Sequence, residues 1–173
     1  MSKVPARNAG RLRDVETIKK KRLPWVATAF DRTDKSTDFA YLSHIEHRTL
    51  FLFNDSEECF PCGTLRGGGN ACVRPLRAKY PPRSAGIPTG CNGRGYESLT
   101  PANRAAIDAA FSIIDWLVLT GRYDRVRYCC DKANLFKLGT GIYDVGDSVI
   151  AYISSKIEVR AGGRKDVGAP PIP

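Results

Sequence analysis

Nothing in these 173 residues is apolar for long enough to span a bilayer, and the first twenty residues, rich in Lys and Arg, hold no apolar segment of the kind that marks a secretory leader. Both absences point to a cytoplasmic protein without membrane contact. There is no internal repeat, which argues against a solenoid or propeller. Between residues 59 and 96 there is not one Asp or Glu, although Arg66, Arg74, Arg77, Lys79, Arg83 and Arg94 all fall there. With a second basic block at Arg11, Arg13, Lys19, Lys20, Lys21 and Arg22, the formal net charge of +9 is placed unevenly. Such surfaces concentrate anions, whether a nucleotide or a polynucleotide.

A chain of this length can bury an adequate core as one domain without disulfides or metal. The six cysteines are therefore read as reduced, and Cys129 and Cys130, adjacent on an apolar stretch, are poorly placed to bridge each other. Composition divides the chain into a basic flexible arm (1–22), one α/β domain (23–160) and a flexible tail (161–173) containing Gly162, Gly163, Pro170 and Pro171.

Ordered structure is expected from Pro24-Trp25-Val26 onward. Residues 37–54 read as extended, with Phe39, Tyr41 and Leu42 leading into Leu50-Phe51-Leu52-Phe53, a continuous apolar run expected of a strand covered on both faces. Residues 55–98 hold most of the Gly and Pro and read as loop, with a short helix after Asn70 that tolerates Pro75 near its start. Thr100 as N-cap, Pro101 at the first position and Gly121 as stop bracket a long helix. Within it Ile107, Ala110, Phe111, Ile114, Leu117 and Val118 recur at three- and four-residue spacing. Residues 126–130 read as a buried strand, and Asp147 as the cap of a last helix with Ile150, Ile153 and Ile157 on one face. Strand, loop and helix in alternation predict an α/β fold with a mostly parallel sheet, whose ligands lie at the carboxyl ends of strands.

Two glycine loops fall at such ends. The first follows Asn54-Asp55 and contains Gly67-Gly68-Gly69-Asn70; the second is Gly139-Thr140-Gly141, between the strand at 126–130 and the last helix. Glycine admits positive φ and lets bare amide N–H groups approach an anion, and a following helix N-terminus adds partial positive charge. Two such loops predict a diphosphate held between them.

Leu138-Gly139-Thr140-Gly141-Ile142-Tyr143 resembles the second ligand loop of macrodomains, and Phe51-Leu52-Phe53-Asn54 followed by Gly67-Gly68-Gly69-Asn70 resembles their first. The resemblance covers roughly residues 37–157 and implies a three-layer macrodomain-like α/β domain that binds ADP-ribose. It implies diphosphate contacts from Gly67, Gly68, Gly69, Asn70, Gly139, Thr140, Gly141, Ile142 and Tyr143, an adenine contact from Asp38, and Asn54 facing the distal ribose. The chain departs from the family at two places. Asn54-Asp55-Ser56-Glu57 stands for the Asn-Ala-Ala-Asn of hydrolytic members, and Cys72 replaces the Asp of their Gly-Val-Asp-Gly turn. These departures favour binding over hydrolysis by the family's usual route. The turn Gly86-Ile87-Pro88-Thr89 also resembles small phage-encoded proteins, which would make the compartment a host cytoplasm and the ligand a nucleotide signal.

Were hydrolysis to occur, Asn54 and Asp55 would be the catalytic pair, Asp55 as base, although Asn and Asp leaving a strand also form simple Asx turns. Arg74, at the start of the short helix, is the favoured phosphate clamp over Arg66 and Arg77. Trp25 and Tyr96 are read as packing groups. No cofactor is expected. Cys59 and Cys62 form a C-x-x-C close to His44 and His47, but two histidines three apart on a strand point to opposite faces, so no metal site is expected either. The competing reading is a nucleic-acid-binding protein that follows a phosphate backbone with its Arg-rich loop and basic arm.

Overall fold

The computed structural model describes residues 23–132 and 144–162. It contains a sheet of five strands: β1 Trp25–Thr28, β2 Thr49–Ser56, β3 Ser84–Cys91, β4 Arg94–Gly95 and β5 Arg125–Cys129. They lie side by side in the order β1-β5-β2-β3-β4. Every pairing is parallel except that of the two-residue β4 against the end of β3. The helices are α1 Phe39–Ile45, α2 Pro101–Thr120 and α3 Asp147–Ala161, with 3₁₀ segments at Glu57–Cys59 and Gly69–Ala78. The fold is α/β, as the alternation of elements predicts.

Strand β2 is the centre of the core because its side chains alternate between two apolar faces. Leu50 and Leu52 pack with Ile107, Phe111, Ile114 and Leu117 of α2 and Val149, Ile153 and Ile157 of α3. Phe51 and Phe53 face the other way, against Phe39 and Leu42 of α1 and Ala71 and Val73 of the second 3₁₀ segment. All four β2 side chains are fully buried, each contributing about 1.5–3 kcal/mol of transfer free energy. The chain crosses one face from β1 to β2 and from β2 to β3, then returns over the opposite face through α2 to β5. Reversing both direction and face keeps the crossovers of one hand.

Thr100 caps α2 by accepting a hydrogen bond from the Asn103 N–H, Pro101 is its first residue and Gly121 its C-cap, so local chemistry sets both ends. Three expectations are corrected. Residues 39–45 are helical, not extended: Asp38 caps α1 through the Ala40 N–H, and Phe39 and Leu42, three apart, reach the same buried face. Residues 84–91 are not loop but strand β3, paired in parallel with β2 from Ser84 to Pro88 and at Gly90. Gly86 and Pro88 hide it from a propensity reading, and Pro88 is tolerated because β4 covers the outer edge only at Gly90 and Cys91. Asp147 does not cap α3; Gly146 is the N-cap and Asp147 lies in the first turn. The expected arm, the end of the tail and the second glycine loop lie outside the described residues.

Candidate functional site

At the carboxyl ends of β2 and β3 lies a cleft of about 280 Å³, walled by Asn54 and Ser56, the glycines Gly67, Gly68 and Gly69, Asn70, Arg74, Cys59, Thr89 and Val145. The parallel sheet explains its position: strands end together there and the connections diverge to opposite faces. Asn54 is the first β2 residue beyond the sealed apolar run, and alternation gives it and Ser56 one side of the strand and Asp55 the other.

The glycine wall is geometrically constrained. Gly69 has φ +54°, a left-handed conformation that favours glycine, and starts the 3₁₀ segment. A Cβ on Gly67 would stand 2.6 Å from the Ala71 Cβ and 3.1 Å from both terminal nitrogens of Arg74, so the loop closes tightly over the arginine. Val145, two residues before α3 begins, brings the N-terminal end of that helix to the rim.

Asp55 does not line the cleft. Its fully buried carboxylate receives Arg74 at 2.6 Å on one oxygen and Arg77 at 2.7 Å on the other. Arg74 also donates to the Leu65 carbonyl, and Arg77 to the carbonyls of Cys59 and Gly63. Both guanidinium groups pack over the Phe53 ring. The acid expected as a base is thus the anchor that lets two arginines pin residues 59–65 to the sheet. Alternation sends it to the face opposite Asn54, so the two side chains leave the strand in opposite directions. Two guanidinium groups on one carboxylate leave a net positive charge beside the glycine wall, and Arg74 Nε is buried with no acceptor among the described residues.

On the far side of the loop, Ser56 and the Asn92 N–H hold the Glu58 carboxyl down to about 2. The Tyr96 hydroxyl donates to Glu57 at 2.6 Å, and burial together with that carboxylate pushes its pKa up. Tyr96 and Trp25 are both core residues, and Trp25 packs against Tyr128.

Of the other predicted site residues, Asp38 is occupied as the α1 cap and does not line the cleft. Gly139, Thr140, Gly141, Ile142 and Tyr143 lie outside the described residues. Cys72 does not line the cleft, and burial followed by the charge of Asp38 raises its thiol pKa. His44 lies on α1 and His47 just beyond it, which removes the strand argument about their directions. Among the described residues no three His, Cys, Asp or Glu side chains come together as a metal-binding group.

Sequence reading missed Ser56, Cys59, Thr89 and Val145 as wall residues, and Arg77 and Gly86 as supports. Gly86 matters because a Cβ there would overlap the Asp55 carboxylate and lie 2.7 Å from an Arg77 nitrogen. The available clue was the small, unbroken run Ser84-Ala85-Gly86-Ile87 between two turns. The chain matches no family model, no curated protein and no solved structure.

Proposed function

We propose that the cleft binds the phosphate-bearing part of ADP-ribose or a related adenine nucleotide, in a three-layer macrodomain-like domain. The observation that carries this reading is the convergence of Asn54, Gly67, Gly68, Gly69, Asn70 and Arg74 on one cleft at the carboxyl ends of parallel strands. Glycine amides, a net positive arginine pair and a helix N-terminal end are a chemistry for phosphate oxygens. Asn54 offers an amide suited to a ribose hydroxyl. Binding is favoured over hydrolysis because Asp55, the acid expected as base, has both oxygens engaged by arginine.

Titration calorimetry with ADP-ribose, ADP and ATP tests the proposal. At least one should bind, and Asn54→Ala should weaken it by about tenfold or more, equal to about 1.4 kcal/mol. A folded protein that binds none of them, or an Asn54→Ala variant that binds unchanged, overturns it.

A further inference from the structure

A second depression of about 360 Å³ lies apart from the glycine cleft, beside Thr49 and Arg125, the first residues of β2 and β5. His47, Arg48, Lys79, Arg83 and Arg122 line it together with Tyr80. These residues come from three separate connections: the end of α1, the turn before β3 and the turn after α2. No sequence window shows them as one cluster.

We propose that this depression binds single-stranded nucleic acid, the cations contacting phosphates and Tyr80 stacking on a base. The Tyr80 side chain is fully exposed, an unusual place for an aromatic ring that serves only packing. It is held there on an ordered turn: the neighbouring Pro82 carbonyl accepts a hydrogen bond from the buried Tyr123 hydroxyl. The floor is also built. Arg83 donates to the carbonyls of Ser43 and Glu46, at 2.9 and 2.7 Å, while its Nε is buried with no acceptor among the described residues.

Two carboxylates lie near. Glu46 is committed to Arg127 and Arg125. Asp124 pairs with Arg48 at 3.1 Å, but both side chains are more than half exposed, so a phosphate can displace that bridge at little cost. Cations flanking an exposed ring match the recognition of single strands, where stacking tolerates any base and arginines follow the backbone. An acidic peptide would use the cations and leave the ring idle.

The test is fluorescence anisotropy of the full chain with a fluorescein-labelled oligothymidylate of about twelve nucleotides, within the span of single-strand sites. Tyr80→Ala should weaken binding about tenfold. Lys79→Ala with Arg122→Ala should lower the slope of log affinity against log salt by about 1.4, at ~0.7 per lost phosphate contact. All three side chains are exposed, and circular dichroism checks that the variants fold. Variants that bind like the unmodified chain would assign any affinity to the N-terminal block and overturn the proposal. So would displacement by polyglutamate with no effect of Tyr80→Ala, which would mark a site for acidic peptides. Nucleotide binding in the glycine cleft is measured separately and has no bearing on either outcome.

Discussion

Replacing Asp55 by Asn keeps the shape of the side chain and removes the charge that two arginines share. The carboxylate is fully buried, and the Arg74 and Arg77 side chains are only 11% and 12% exposed, so neither cation gains much water in exchange. Two charge-assisted hydrogen bonds are at stake, each contributing about 1.5–3 kcal/mol. Leaving buried charge uncompensated typically destabilises by about 3–5 kcal/mol. Because the Asn carbonyl still accepts one of the bonds, the lower end applies, about 3 kcal/mol. In a chain of this size that lowers the melting temperature by about 6–12 °C. Urea unfolding followed by circular dichroism reads the change directly. Arg77→Gln alone should also destabilise, and the double variant should lose less than the two single losses combined by at least about 1 kcal/mol, since both act on one bond network. A loss below about 1 kcal/mol for Asp55→Asn, or strict additivity, would refute the claim that this carboxylate anchors the loop at 59–65.

Gly86→Ala should destabilise by about 1–3 kcal/mol, because its new methyl overlaps the Asp55 carboxylate from the neighbouring strand; a neutral result in urea unfolding would mean the cluster is looser than described. For Glu46, burial would raise the carboxyl pKa, but the Arg127 hydrogen bond and charge, with Thr49 and Arg125, outweigh it and hold the group below its ordinary 4.5. The unfolded chain therefore takes up that proton first as pH falls, so the contribution is complete above about 4.5 and disappears as pH drops through the folded value. Glu46→Gln should accordingly flatten the acid limb of the stability profile below that pH, and parallel limbs would exclude the effect.

Local chemistry was enough to place some elements. Thr100, Pro101, Gly121 and the apolar spacing between them determine α2, because caps and amphipathic period act within a few residues. The unbroken Leu50-Phe51-Leu52-Phe53 run likewise determines a strand sealed on both faces. That the glycine run, Asn54 and Arg74 belong to one neighbourhood was recognisable because strand-end and glycine chemistry are also local. Tertiary structure decided the rest. Strand β3 exists because β2 offers it a parallel partner, which outweighs the poor strand propensity of Gly86 and Pro88. Asp55 became an anchor because the pleat turns it from Asn54 towards two arginines 19 and 22 residues away, a distance in sequence at which no motif reports contact. The basic depression around Tyr80 gathers three connections that only the sheet order brings together. Sequence fixes what acts between near neighbours along the chain, and pairing across the sheet fixes which side chains meet.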